Sequence, residues 1–265
     1  MPAPPSGSPR AAVIDALRAA GCVFAEDEAD LLLCAAVGPE DLRAKLSRRT
    51  AGEPLEQVLG WAEFSGLRIA LEPGVFVPRR RSEHLVAEAV RIAPARAVVV
   101  DLCCGSGAVG AAIHSALPSI ELYAADIDPA AVRCARRNIP PASGQVLEGD
   151  LFDPLPVALR GRVDILAVNA PYVPTESIQL MPPEARLHEP RVALDGGAQG
   201  LDVQRRVAAA AWQWLAAGGH LLIETSRVQA PLTLRAVADG GLTGRVSHCP
   251  ERDATVVIGN RPISG

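Results

Sequence analysis

Asp101-Leu102-Cys103-Cys104-Gly105-Ser106-Gly107-Ala108-Val109-Gly110 is the stretch that decides the fold. The β-branched run Ala97–Leu102 leading into it reads as a buried strand, and the residues from Ser106 to Leu117 read as a helix. A glycine-rich turn between a strand end and a helix start is where a doubly wound α/β sheet holds its ligand. There the backbone can approach closely and the first helical N–H groups face outward.

The chain keeps that alternation downstream. Strands are expected at Glu121–Ala125, Gln145–Glu148, Val163–Val168 and His220–Thr225. Helices are expected at Asp128–Asn138, Asp202–Ala217 and Val228–Ala238, the first of them capped by Asp128 with Pro129 at its first position. Arg245–Cys249 and Ala254–Gly259 follow one another as strands, which calls for an antiparallel hairpin at the end. Upstream, Phe64, Leu67, Ile69 and Leu71 around Gly66 alternate with period two, and Pro73-Gly74 and Val75-Phe76-Val77 follow. A helix then starts at about Ser82, a residue able to cap it, and ends at Pro94. Before Glu53 the apolar residues fall at helical spacing: Val13, Ile14 and Leu17, then Leu31, Leu32 and Ala35, then Leu42 and Leu46. The expected organisation is a disordered tail over 1–9, a small helical substrate-binding domain over 10–52, a β-hairpin linker over 53–81 and an α/β domain over 82–265.

Composition narrows the function classes. With 265 residues, 49% of them hydrophobic, the chain can bury a substantial core, and no apolar run reaches membrane-spanning length. The first residues lack the basic and apolar segments of an export signal, so a cytoplasmic protein is expected. Six cysteines without a Cys-x-x-Cys pair argue against zinc and for reduced thiols, and no metal site is expected. A net charge of −4 gives no global attraction for nucleic acid, although Arg79-Arg80-Arg81 is a local basic run.

Gly105-x-Gly107-x-x-Gly110 has the spacing of a dinucleotide fingerprint, and Asp126 stands where an acid would hold a ribose. A dehydrogenase is therefore a serious reading. Asp101 argues against it, because a carboxylate at the strand end would repel a pyrophosphate and attract an ammonium group. S-adenosyl-L-methionine presents that ammonium and carries no phosphate. Asp126 would then take its ribose hydroxyls, Asp150 the adenine amine, and Leu151 the ring face. The candidate cofactor contacts are Asp101, Cys103, Gly105, Gly107, Asp126, Ile127, Asp150, Leu151 and Asn169.

Asn169-Ala170-Pro171-Tyr172 ends the strand Val163–Val168 and supplies the candidate catalytic group. The Asn169 side-chain oxygen and the Ala170 carbonyl can converge on one planar NH2 group, Pro171 restricts Ala170 to extended conformations, and Tyr172 offers a ring for stacking. A strand-ending turn is the competing account of these four residues. The five histidines fit no ligand spacing and read as structural or surface residues.

These segments together resemble the HemK/PrmC-type protein-(glutamine-N5) methyltransferases, which modify class I peptide release factors. The likeness runs from about Glu53 to Arg261. It is carried by Glu53-Pro54-Leu55, Glu63-Phe64-Ser65-Gly66-Leu67, Val75-Phe76-Val77-Pro78-Arg79 with Ser82-Glu83, the Asp101 loop, Asp126, Asn169–Tyr172, His188-Glu189-Pro190 and Ala193-Leu194-Asp195-Gly196-Gly197. The resemblance implies a seven-stranded Rossmann-like methyltransferase domain and S-adenosyl-L-methionine as cofactor. Its implied acceptor is a glutamine exposed on a protein, such as a release factor. It also implies substrate-binding roles for Arg79 and Glu83 at the domain junction and for Glu189 and Pro190 in a loop closing over the substrate. The chain departs from the family pattern at Ala170, where Pro is usual, at Cys103, where Gly is usual, and at Arg80-Arg81, where Pro-Glu is usual. The Ala170 carbonyl survives the first change, so activity is expected to be kept. Alternatives are methylation of an adenine amine in nucleic acid, methylation of a small molecule, and a non-catalytic adaptor.

Overall fold

A computed structural model describes residues 9–263. The expected tail over 1–9 lies outside them save for Pro9, the first residue of α1 (Pro9–Ala19). Val13, Ile14 and Leu17 of α1 are buried against α2 (Ala25–Ala35), and α3 (Pro39–Thr50) adds half-buried Leu42 and Leu46. The inner face of α2 differs from the expected one. Ala25, Ala29 and Leu32 are buried and Leu31 is turned outward. Helical spacing from Leu32 selects the two alanines, which hydrophobicity alone ranks below Leu31.

Residues after Glu53 are helical before they are extended, which corrects the linker reading. Pro54 precedes α4 (Leu55–Leu59), and Gly60 ends it at φ +78°. Period two begins with β1 (Trp61–Phe64) and β2 (Leu67–Ala70), an antiparallel pair joined by Ser65-Gly66. Both turn residues have positive φ, as a tight two-residue hairpin demands. The hairpin is docked by Asn138, whose Oδ1 accepts from Ala70 N–H at 2.8 Å and whose Nδ2 donates to Ala70 O at 2.9 Å. Val75-Phe76-Val77 belongs to no strand and leads to α5 (Glu83–Ile92).

The rest is the expected α/β alternation: β3 (Val98–Leu102), α6 (Ala108–Ala116), β4 (Glu121–Asp126), α7 (Pro129–Asn138), β5 (Gln145–Glu148), β6 (Val163–Val168), α8 (Pro183–His188), α9 (Asp202–Trp214), β7 (Leu215–Thr225), α10 (Ala230–Asp239), β8 (Thr243–Cys249) and β9 (Ala254–Asn260). Asp128 caps α7 by accepting from Ala130 N–H. Helix α9 stops short of the expected Ala217, because Leu215 is already the first residue of β7 and pairs with Val163. The strands form one seven-stranded sheet in the order β5-β4-β3-β6-β7-β9-β8, with β9 antiparallel to both neighbours and the others parallel to one another. The fold is the expected Rossmann-like methyltransferase architecture.

Helices α5, α6 and α7 cover one face of the sheet together with the hairpin residues Phe64 and Ile69, while α9 and α10 cover the other. With both faces covered, strands such as Val98-Val99-Val100 and Ile165-Leu166-Ala167-Val168 are apolar throughout instead of alternating. Chain order reverses around β3, which lies between β4 and β6, so a crevice opens at the carboxyl ends of these strands. Among the described residues no helix is long and apolar enough to cross a membrane.

Candidate active site

A cavity of about 320 Å³ opens in that crevice, and its two halves are built differently. The first half is backbone and carboxylate. After β3, Cys103, Gly105 and Gly107 take φ values of +57°, +53° and +76°, which fold the loop back so that α6 can start beneath it. Asp101, 1% exposed, lines the cavity, and its Oδ2 accepts from Gly110 N–H at 2.8 Å. Burial pushes its carboxyl up to about 7, against the Gly110 hydrogen bond and with help from the charge of Asp126. Asp126 accepts from Gly105 N–H through one oxygen and from Asp128 N–H through the other, at 2.8 and 2.9 Å, and burial raises its pKa as well. Ile127 and Leu151 line the same half, Leu151 at φ +50°. Asp150 also lines it but accepts from Arg206 Nη2 at 2.6 Å, so the carboxylate read as an adenine contact is shared with an arginine.

The residues of this half fit S-adenosyl-L-methionine. Acidic groups stand at three successive strand ends, Asp101, Asp126 and Asp150. That set suits an ammonium, ribose hydroxyls and an amine, and it would repel a pyrophosphate.

The second half gathers distant segments. Asn169, Ala170, Pro171 and Tyr172 line it from the end of β6. Asn169 Nδ2 donates to Ser82 Oγ at 3.1 Å, so the amide nitrogen is committed and the amide oxygen remains as its acceptor. Ser82 is 1% exposed and makes no capping bond to α5. The cap expected of it is absent because Ser82 ends a 3-10 turn (Arg80–Ser82) and has helical backbone angles, φ −67° and ψ −11°, where a capping residue must be extended; its hydroxyl accepts from Asn169 instead. Tyr172 is fixed through its carbonyl, which accepts from Gln229 Nε2 at 2.9 Å, and burial pushes its phenol up to about 12. Val173 N–H donates to Leu194 O and Gly196 N–H to Val173 O, which draws the loop Asp195-Gly196-Gly197 against the motif. A Cβ on Gly196 would meet Pro171 O at 2.6 Å, so the close approach requires glycine there.

Of the residues singled out in the sequence, Arg79 and Pro190 line the second half. Glu189 stands behind Arg79, accepting from its Nη2 at 2.6 Å and from Val77 N–H at 3.3 Å. Glu83 is not among the lining residues. It accepts from Ser65 N–H and from Arg252 Nε, and so ties the hairpin and the turn before β9 to α5. Gly107 is also absent from the wall; a Cβ there would meet Ala135 and Ile139 at 3.1 Å, so its role is to let α6 and α7 pack. The sequence reading missed Ser82 as a site residue, Arg81, Arg206 and the aromatic wall of Phe64 and Phe76. For Ser82 and Arg81 the signal was their nearness to Arg79; for Arg206, on an ordinary amphipathic helix, there was none.

Residues 66–195 match the family model described as "Methyltransferase small domain". The chain is 38% identical over 218 residues to the release factor glutamine methyltransferase of Geobacter sulfurreducens, covering 80% of this chain and 74% of that one. The chain belongs to the release factor glutamine methyltransferase family. Members of this family are S-adenosyl-L-methionine-dependent enzymes, and the first half of the cavity is built accordingly. The chain is also 34% identical over 246 residues to the 4-amino-L-phenylalanine/4-methylamino-L-phenylalanine methyltransferase of Streptomyces pristinaespiralis, covering 89% of this chain and 81% of that one. Among solved structures, a methyltransferase from Pyrococcus furiosus shares the fold at a TM-score of 0.56 and 15% identity, over 85% of this chain and all of that one.

Proposed function

We propose that the protein transfers a methyl group from S-adenosyl-L-methionine to the side-chain amide nitrogen of a glutamine in a protein, a peptide release factor or a related polypeptide. The observation that carries this reading is the Asn169–Ser82 hydrogen bond, which commits Asn169 Nδ2 and leaves Oδ1 and the adjacent Ala170 carbonyl as paired acceptors. When bound, the donor supplies a methyl group already activated on a positively charged sulfur. Asn169 Oδ1 and Ala170 O each take one hydrogen of the incoming NH2. Held from outside the amide plane, that nitrogen gives up conjugation with its carbonyl and turns its lone pair toward the donor. Pro171 holds the Ala170 carbonyl in place, and Tyr172 flanks the amide. Positioning in line supplies most of the rate. As the new C–N bond forms the nitrogen becomes positively charged, and it then releases one of its two hydrogens as a proton to water; Asn169 Oδ1 and Ala170 O orient those hydrogens without acting as the base.

Several features support the finer points. The helical region over 10–52 is tied to the loop that follows the motif by Arg49, which pairs with Glu28 and with Glu184, and this suits a cap over the protein substrate. The described cysteines are all unpaired, as in a reducing cytoplasm. A net charge of −4 disfavours nucleic acid as the acceptor. Labelled methyl donor incubated with protein and a cell lysate tests the reading. A labelled polypeptide, modified at glutamine and lost with Asn169→Ala, is the expected result, and labelling that persists in that variant would reject the clamp.

A second reading is methylation of an aromatic amine on a small molecule, as the name of the Streptomyces pristinaespiralis relative describes for that enzyme. Phe64, Phe76 and Met181 give the acceptor half a wall suited to an aryl group. The same clamp serves an aryl NH2, whose lone pair is also conjugated. Label recovered in the low-mass fraction of the lysate would favour this reading.

A further inference from the structure

Two arginines reach the acceptor half, and each is backed by a buried carboxylate that is not part of the cavity wall. Arg79 Nη2 lies 2.6 Å from Glu189 Oε1, with the guanidinium 5.0 Å from the Phe76 ring centre. Arg81 Nε lies 3.5 Å from Glu224 Oε1, with the guanidinium 5.9 Å from the Tyr172 ring centre. The carboxylate side chains are 0% and 3% exposed, the arginines 33% and 45%. A molecule entering this half therefore meets cations, while their countercharges stay behind the wall. The one carboxylate that lines it, Asp195, is engaged by Thr175, Arg191 and Gly197 N–H.

The two pairs are unequal. Glu189 takes a short hydrogen bond from Arg79, whereas both Glu224 oxygens lack a hydrogen-bond partner. Arg81 is thus oriented by charge from behind and by Tyr172 beside it, with nearly half of its side chain still exposed to the cavity. A guanidinium held in place but not saturated is preorganised for a planar anion, which it can bind through two parallel N–H bonds. The apolar wall of Phe64, Phe76 and Met181 lowers the local dielectric and strengthens such a pair.

We infer that Arg81, with Arg79 in support, binds a carboxylate carried by the acceptor, so the protein selects NH2 groups that have an anion close by. The inference rests on the reading that Asn169 and Ala170 hold the acceptor NH2. That carboxylate comes either from a free amino acid or from an acidic side chain beside the target glutamine.

Methyl transfer to two matched probe pairs tests it. One pair is 4-amino-L-phenylalanine and 4-aminophenethylamine, which share ring and amine and differ in the carboxylate. The other is a short peptide with glutamine beside glutamate and the same peptide with alanine in place of glutamate. In at least one pair the acidic member should be favoured about tenfold or more in kcat/KM, the scale of one charge-assisted contact. Which pair responds identifies the source of the carboxylate. Arg81→Gln should abolish that preference through KM, Arg81→Lys should keep part of it, and added salt should shrink it in the unaltered protein without any substitution. Equal use of both members of every pair, no transfer to either acidic probe, or an Arg81→Gln loss that falls equally on acidic and neutral members would overturn the inference. Lysate labelling that still depends on Asn169 alongside such a result would leave the clamp reading standing and remove only the role of Arg81.

Discussion

The donor half and the acceptor half of one cavity are assembled by opposite means. The donor half comes from the carboxyl ends of three adjacent strands, each delivering a carboxylate: Asp101 near the end of β3, Asp126 at the end of β4, Asp150 just after β5. The acceptor half joins the hairpin, the segment before α5, the end of β6 and the loop around Pro190, and arginine side chains set its charge. Donor recognition is therefore a local property of the fold. Acceptor recognition depends on how remote segments meet, and it can drift between relatives while the donor half stays unchanged.

The two halves separate most sharply at Asn169. Replacing it by alanine should lower kcat by about a hundredfold or more, the scale of removing one positioned hydrogen-bonding group from a reacting centre, with donor affinity within a few-fold. Loss of donor binding in calorimetry would mean that the halves are not separable. Asp101→Asn should do the reverse, weakening donor binding by roughly 2 kcal/mol, about thirtyfold, through loss of a buried charge pair. The same substitution should raise the melting temperature of the donor-free protein at pH 8. The carboxyl is pushed up to about 7 from an unfolded value near 3.8, so its ionisation costs stability as pH rises through that window.

A smaller, graded effect comes from pH. Donor affinity should fall as pH drops below about 7, because Asp101 takes up the proton that its ammonium partner requires it to lack. Calorimetry near that pH in two buffers of different ionisation heat should register proton release on binding; binding that is flat from pH 8 to pH 6 would remove Asp101 from the ammonium site. Ser82→Ala is expected to cost least, about tenfold in kcat for one lost hydrogen bond to the Asn169 amide, with Ser82→Thr restoring the rate. If Ser82→Thr and Ser82→Ala behave alike, the hydroxyl does not orient the amide.

The same contrast explains what was legible before the structure. The strands of the sheet, the loop from Asp101 to Gly110 and the carboxylates that follow it could be read because period, turn chemistry and strand-end position are written in neighbouring residues. Boundaries failed where two propensities compete. Leu215-Ala216-Ala217 has helical composition, yet sheet pairing draws Leu215 into β7. Leu55–Leu59 was lost inside an alternating pattern that begins only at Trp61. The local setting of Ser82 predicts a helix cap, while its partner lies at position 169. The resemblance implies a substrate contact for Glu83, and the packing turns it toward Ser65 and Arg252 instead.

The sequence by itself determined the sheet, the donor loop and the Asn-x-Pro-Tyr motif, since each is a short run whose backbone preferences and hydrophobic period act over a few residues. It took the packed chain to show that Ser82 bonds the Asn169 amide, that Gly107 serves helix packing, and that Arg79 and Arg81 line the cavity with Glu189 and Glu224 behind them. Those arrangements join residues about 30 to 140 positions apart. Burial and charge can select such pairs only after the sheet has brought their segments together.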